Sequence, residues 1–276
     1  MEKRGQISQS VIISIIILLL VAGILFYFFK VMPYKPIVDK QACYQSVLLR
    51  SQNILGVNPG QKLQVPLNCK TEEIEINSVD SDFIKREIAN AMYDCWWMLG
   101  EGERNFFSKT VMGSTHCTVC SRIKFGESTQ KKIKEIKDFD LYLQNTKIPK
   151  KNLTYMDYFT GGNEFEKIAD SPINIDTRKE YAITYSLSEG SSAPEMIAGQ
   201  AAGVAVGMFF LSKGDAFNAI RIGTAVGFGT NWAGGRLHDW ITSKVQGTTY
   251  LVAFNLIPLD AESLKGFGCD SIESIP

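Results

Sequence analysis

The first pattern along the chain is a long run of apolar residues. The 19-residue run 11–29 reads VIISIIILLLVAGILFYFF, and Ser14 is its one strongly polar side chain. A helix of that length is about 28 Å long, close to the roughly 30 Å hydrocarbon core of a bilayer. The run ends in aromatic residues and Lys30, which suit a membrane–water interface. We therefore expect a retained transmembrane helix and not a cleaved secretory signal peptide.

Beyond an extended neck with Pro33 and Pro36, the chain reads as mixed α and β structure. Apolar and polar residues alternate as in short strands, at 62–67, 72–76, 117–125, 180–187 and 249–256. Apolar residues recur at helical spacing in two stretches, at 81–99 and 128–143.

Two glycine-rich segments lie between the last two predicted strands. Residues 196–211 read MIAGQAAGVAVGMFFL and residues 216–232 read AFNAIRIGTAVGFGTNW. Their glycines are spaced by four and would share one helical face, at Gly199, Gly203, Gly207, Gly223 and Gly227. We expect a helical hairpin that packs on the soluble sheet. A hairpin inserted in the membrane and a single span over 196–211 are the alternatives.

These patterns together predict an α+β fold. A single N-terminal transmembrane helix precedes a disulfide-braced mixed α/β ectodomain that contains the glycine-zipper helical hairpin. Four segments are expected: an anchor, an α+β extracytoplasmic domain, the glycine-rich hairpin and a C-terminal strand with its tail, at 1–30, 31–192, 193–240 and 241–276.

Composition and charge exclude several classes of protein. The 276 residues are 45% hydrophobic and 21% charged, which excludes a disordered chain, a collagen-like fibre and a polytopic transporter. Lys and Arg number 29 and Asp and Glu number 29, so we expect no nucleic-acid partner. The lysines of 131–137 are interpreted as a solvated helix face.

The residues before the apolar run carry a resemblance. Residues 3–8 read KRGQIS, a basic pair and a glycine before Gln-x-Ser, and the apolar helix follows directly. Residues 3–29 resemble the archaeal class III signal peptide of type IV pilin-like proteins. The resemblance implies cleavage between Gly5 and Gln6 by a prepilin-type peptidase, with the helix retained, the N-terminus in the cytoplasm and the bulk of the chain outside. Ser10 stands where such proteins often carry a Glu that is used in subunit packing.

Two further features agree with an extracytoplasmic location. Asn152 begins the triplet Asn-Leu-Thr, an acceptor for N-glycosylation. The six cysteines are an even number, and they allow three disulfides, in any of about 15 connectivities. Their positions are Cys43, Cys69, Cys95, Cys117, Cys120 and Cys269.

Strand geometry restricts the pairing of these cysteines. Cys117 and Cys120 are three residues apart in a predicted strand, so they face opposite ways at a separation of about 10 Å. A disulfide needs Cα atoms within about 4.4–6.8 Å. We therefore expect that Cys117 or Cys120 reaches Cys95 or Cys269. Cys43 and Cys69 would then form the remaining pair.

Few residues in the chain suggest catalysis. Cys117 and Cys120 form a C-x-x-C motif and are weak candidates for thiol chemistry, but the flanking pattern is that of a strand and not of a helix start. A zinc site would need a second such pair or paired histidines. We expect no metal and no cofactor. The polar and aromatic residues of 231–240 are a candidate recognition surface, or else structural.

The resulting prediction is a membrane-anchored extracytoplasmic surface protein with a structural, assembly or recognition role. Its expected partners are the lipid bilayer and either a surface protein or a second copy of the chain. One alternative is a membrane-active or oligomerising protein that uses the glycine-rich hairpin. The other is an extracytoplasmic thiol–disulfide oxidoreductase that uses Cys117 and Cys120.

Overall fold

The computed structural model describes 11 stretches of the chain, at 9–31, 34–51, 65–102, 106–107, 115–160, 166–167, 173–189, 206–212, 223–226, 250–259 and 269–273. Its helices are α1 Gln9–Val31, α2 Tyr34–Ser51, α3 Ser81–Met98, α4 Glu127–Lys132, α5 Phe139–Asn145 and α6 Tyr155–Thr160. Its strands are β1 Glu72–Ile76, β2 Thr115–Phe125, β3 Glu135–Ile136, β4 Glu166–Lys167, β5 Ile175–Asp176, β6 Tyr181–Glu189, β7 Val206–Ser212, β8 Gly223–Val226, β9 Tyr250–Pro258 and β10 Ser271–Glu273.

Eight of the strands form one large mixed sheet. The strand order is β1-β2-β6-β9-β7-β8-β4. The inner pairs from β2 to β8 are antiparallel, and β4 pairs with β8 in parallel. Strands β10 and β1 share one edge of β2, and both lie parallel to it, β10 along its first half and β1 along its second. The large sheet therefore takes strands from three of the predicted segments, 31–192, 193–240 and 241–276.

Helix α3 covers one face of the large sheet and confirms the helix predicted at 81–99. Its start is fixed by Asp80, whose carboxylate accepts hydrogen bonds from the backbone N–H groups of Asp82 and Phe83, at 2.9 and 3.3 Å. Its apolar side, which includes Ile84, Ile88, Met92, Cys95 and Trp96, is fully buried. These residues share one core cluster with Tyr181, Ile183, Tyr185 and Leu187, alternate residues of β6.

A bulge in β2 separates two sets of side chains. Val119 lies opposite Thr184 and Ser121 lies opposite Ile183, so Cys120 is an extra residue in the ladder. Cys120 belongs to the core cluster under α3. Cys117 belongs to a small cluster with Ala182 and Ile257 instead. The strand predicted at 117–125 is confirmed, and its two cysteines pack in different hydrophobic clusters.

The N-terminal helix requires a correction. Helix α1 covers the predicted apolar run, and its apolar side chains between Val11 and Tyr27 are 46–68% exposed. In the part of the chain that the structure describes, no helix has both the length and the apolar character that a membrane crossing needs. The predicted transmembrane helix is therefore wrong, although the segment is helical.

The glycine-rich segment requires a second correction. Residues 206–212 and 223–226 are the strands β7 and β8, with Gly207 opposite Val226 and Phe210 opposite Gly223. Gly199, Gly203 and Gly227 lie outside the described residues. A short apolar run suits a buried strand as well as a helix. Here residues 206–212 pair with β9 and are therefore a strand. The predicted glycine-zipper helical hairpin is therefore wrong.

Two smaller predictions also fail. The helix predicted at 128–143 is divided into α4, β3 and α5. Ile133 ends α4 in an extended conformation, Ile136 pairs with Ile175 of β5, and Asp138 is left-handed with φ 56°. The predicted extended neck is partly helical, because α2 begins at Tyr34. Pro36 fits its first turn, where backbone N–H groups have no intrahelical partner.

Candidate functional site

Three disulfides connect the helices, the large sheet and the C-terminal strand. Cys43 in α2 bonds to Cys69, with Cα atoms 4.3 Å apart, and Cys95 in α3 bonds to Cys120 in β2, at 5.6 Å. Cys117 bonds to Cys269, just before β10, at 5.9 Å. All six cysteines are thus paired. The predicted disulfides are confirmed, including the separate partners of Cys117 and Cys120.

This pairing does not support the oxidoreductase alternative. A C-x-x-C oxidoreductase cycles between a dithiol and a disulfide within the motif. Cys117 and Cys120 instead bond to Cys269 and Cys95. Both are almost completely buried, at 0% and 3% exposure, and both lie in a strand.

The predicted glycosylation site lies in an exposed turn before α6. Asn152 is exposed, and its Oδ1 accepts a hydrogen bond of 2.7 Å from Lys147. Thr154 caps α6, since its hydroxyl accepts from the backbone N–H of Asp157 at 3.0 Å. The triplet is therefore accessible, and its modification stays a prediction.

Other predicted site residues lie outside the described residues. These are Gly5 and Gln6, and the aromatic cluster of 231–240. In the described residues, no group of three or more histidine, cysteine, aspartate or glutamate side chains could hold a metal ion.

The most developed surface site was not anticipated from the sequence. It lies on the outer side of α3, where Asn90, Tyr93, Asp94 and Trp97 recur at i, i+3, i+4 and i+7 and are half-buried. Side chains from α2, from the end of α3 and from the segment 151–158 join this row. We call the assembly the aromatic face; its members are Lys40, Tyr44, Asn90, Tyr93, Asp94, Trp97, Glu101, Lys151, Tyr155 and Tyr158.

One half of the aromatic face joins α2 to α3. The rings of Tyr44 and Trp97 stack with centroids 4.8 Å apart and planes inclined by 15°. Beside them, Lys40 contacts Asp94 at 2.6 Å and Glu72 at 3.2 Å. Both ion pairs are partly buried.

The charges of this group shift each other's protonation. Burial raises the pKa of Asp94 more than the Lys40 ammonium lowers it. Burial lowers the pKa of Lys40, but the Asp94 and Glu72 carboxylates together outweigh burial and hold that pKa above its ordinary value. The ammonium is therefore charged at neutral pH and positioned between two acids.

The other half of the aromatic face is a pair of tyrosines that holds a cation. The rings of Tyr93 and Tyr158 lie 4.8 Å apart, inclined by 33°. The Lys151 Nζ lies 4.7 Å from the Tyr93 ring centroid and 4.5 Å from that of Tyr158. The Tyr158 hydroxyl donates to Glu101 at 2.5 Å. Two aromatic faces, an ammonium and a carboxylate thus meet at one place.

Local backbone geometry places these groups. At the end of α3, Gly100, Glu101 and Gly102 have φ of 80°, 57° and 71°, a left-handed ending in which glycine is favoured. A Cβ on Gly102 would lie 2.6 Å from the Trp96 ring. Lys150 is also left-handed, with φ 65°, and the Lys151 N–H donates to Ile148 O at 3.0 Å.

The tyrosine hydroxyls remain donors over the physiological pH range. Burial raises the pKa of Tyr158, and the hydrogen bond and charge of Glu101 raise it further. Burial raises the pKa of Tyr155 to about 12, and its hydroxyl donates to Asn90 at 2.5 Å. Aromatic surface with fixed polar groups at its edge is suited to recognition, because it combines contact area with directional bonds.

Comparison of the chain with protein-family models, with curated proteins and with solved structures finds no match.

Proposed function

We propose that this protein is a membrane-attached extracytoplasmic protein that acts in recognition or assembly. The observation that carries the proposal is the bonding of all six cysteines into three disulfides. Disulfides form and persist mainly in oxidising compartments, outside the cytosol. Two of them crosslink β2, one to α3 and one to Cys269 just before β10.

Helix α1 supports attachment to a lipid bilayer. Its apolar side chains are exposed around the helix, as at Val11, Leu18, Ile24 and Phe26. An exposed apolar surface of this extent needs a cover, and lipid provides one. The proposal concerns attachment alone and assigns no span. Processing after Gly5 and a glycan on Asn152 are consistent with this location and stay predictions.

The aromatic face supports a recognition role. Tyr44 of α2 and Tyr93 and Trp97 of α3 are half-buried, and tyrosine and tryptophan are among the residues that most often dominate binding energy at interfaces. The alternative that depends on a glycine-zipper helical hairpin loses its basis, since the described parts of that segment are strands.

Labelling of intact cells tests the proposed location. A membrane-impermeant amine reagent should modify exposed lysines of the folded domain, such as Lys131, Lys132 and Lys137, while a cytoplasmic marker protein stays unlabelled. Labelling of these lysines only after cell lysis would refute the proposal.

Substitution within α1 tests attachment in the full chain. We expect Leu18→Glu combined with Leu20→Glu to move the protein out of the membrane fraction, because two charges on the exposed apolar surface oppose lipid contact. Val79→Glu is the matched control, since Val79 is also about half exposed but lies before α3. Equal membrane association of the two proteins would contradict attachment by α1.

A further inference from the structure

We propose that the Tyr93–Tyr158 pair is a binding site for an organic ammonium group, and that the chain's own Lys151 occupies it as an internal ligand. An organic ammonium would then be the class of ligand that the aromatic face recognises. The biological role of this binding rests on the proposed function. The binding test needs no cells, so it succeeds or fails independently of the labelling experiment.

The geometry of Lys151 is that of a bound cation. Its Nζ lies within 5 Å of both ring centroids, inside the roughly 6 Å range over which an ammonium is attracted to the face of an aromatic ring. No carboxylate among the described residues forms an ion pair with Lys151. The two rings are therefore the groups that hold the ammonium.

The site is formed before any external ligand arrives. Tyr158 is only 9% exposed, and its hydrogen bond to Glu101 fixes the ring and brings a carboxylate to the edge of the site. Tyr93 is fixed by its position on α3, whose other side is in the core. A preformed site spends little conformational entropy on binding.

Lys151 is suited to be displaced. It is exposed, and it lies in the turn of 148–153, where Ile148 N–H donates to Leu153 O at 2.9 Å. Its side chain can leave the rings without a change in this turn. A tethered ligand competes with a free one through its effective concentration. Removal of the Lys151 ammonium should therefore raise the apparent affinity for a free ammonium by about two- to thirtyfold, the range spanned by cation–π interactions from exposed to desolvated sites.

The ligand would carry a primary or a quaternary ammonium. A lysine side chain of a partner protein is the source that Lys151 itself imitates. A methylated ammonium is the second source, because aromatic pairs and cages bind it through the same attraction. Titration with n-butylammonium and with tetramethylammonium distinguishes the two head groups, since the probe that binds with higher affinity identifies the preferred one.

Nuclear magnetic resonance of the full chain in a nonionic detergent tests the proposal. In the wild type, the Lys151 ε-methylene protons should be shifted upfield by the two rings, and Tyr93→Leu should reduce that shift by removing one of them. In Lys151→Gln, the ring signals of Tyr93 and Tyr158 should move saturably with either ammonium probe, at a concentration about two- to thirtyfold lower than in the wild type. Lys147→Gln, at the β-bridge to Thr154 just before the turn of 148–153, should behave as the wild type.

Three results would overturn the proposal. They are a Lys151 ε-methylene at its unperturbed position, the absence of saturable ring shifts in a folded Lys151→Gln, and equal affinity in Lys151→Gln and the wild type. Lys151→Met is a second variant without the ammonium, to be used if Lys151→Gln does not give a native spectrum. Potassium chloride at equal ionic strength separates ammonium binding from a general salt effect.

Discussion

The two sides of α3 differ in what they contribute. The inner side, with Trp96 and Cys95, is fully buried and joins the helix to the sheet by packing and by a disulfide. The outer side, with Tyr93 and Trp97, is half-buried and is made of aromatic rings, ion pairs and a held ammonium. The same 18-residue helix therefore supplies stability from one side and a binding surface from the other. Trp96 lies on the inner side, and the adjacent Trp97 lies on the outer side.

Substitution of the two tryptophans should separate the two sides most strongly. Trp96 is 0% exposed and packs with Tyr185 and Phe254, so Trp96→Ala should lower the free energy of unfolding by about 3–5 kcal/mol. Trp97→Ala should cost clearly less, since Trp97 is half-buried. Urea unfolding measures both, and Trp96→Phe replaces Trp96→Ala if that protein does not fold. Equal losses of unfolding free energy in the two variants would contradict the difference between the two sides of α3.

Removal of the inner disulfide should have the next largest effect. Cys95 and Cys120 are 25 residues apart in sequence. For a loop of this length, the chain-entropy model gives a stabilisation of the folded state by about 3.5 kcal/mol. The double variant Cys95→Ala, Cys120→Ala should therefore unfold at lower urea concentration, while the ring shift of Lys151 persists under native conditions. Loss of that shift in a folded variant would mean that the aromatic face depends on this bond.

Tyrosines of the aromatic face should contribute to the response to alkaline pH, together with the buried Tyr185 on the inner side, whose pKa is also raised by burial. The pKa of Tyr155 is raised by burial to about 12, above the ordinary value near 10 in the unfolded chain. The folded state thus keeps a proton that the unfolded state loses, and stability falls as pH rises from about 10 to 12. The raised pKa of Tyr158 acts in the same direction.

Tyr155→Phe tests this assignment. The variant should be about 1 kcal/mol less stable at neutral pH, through the lost hydrogen bond to Asn90. Its stability should then decline less steeply than that of the wild type between pH 10 and 11.5, in urea unfolding at several pH values. An unchanged slope would place the alkaline sensitivity elsewhere.

The sequence predicted the inner side of α3 well and the outer side poorly. Ile84, Ile88 and Cys95 follow helical spacing, and alternation within β2 separates Cys117 from Cys120. The outer side was missed because Tyr93 and Trp97 lie next to buried residues and resemble them in composition. The ammonium at its tyrosine pair comes from Lys151, more than 50 residues further along the chain, and no local pattern connects Lys151 to Tyr93.

The errors elsewhere arose from patterns that two structures share. The run around Gly207 has the spacing of a helical seam, but its pairing with β9 makes it a strand. The apolar run of α1 is a helix, as its sequence predicts, but among the described residues no helix combines the length and the apolar character that a span needs. For β7, the deciding information is tertiary and lies outside the segment.

The oxidation state of the cysteines in the native cell tests the central claim most directly. Acid-quenched cells are treated with a thiol-alkylating reagent, and the protein is mapped by mass spectrometry without reduction. We predict no alkylated cysteine and three linked peptides, Cys43 to Cys69, Cys95 to Cys120 and Cys117 to Cys269. Alkylation of all six thiols, or a dominant bond between Cys117 and Cys120, would contradict the account.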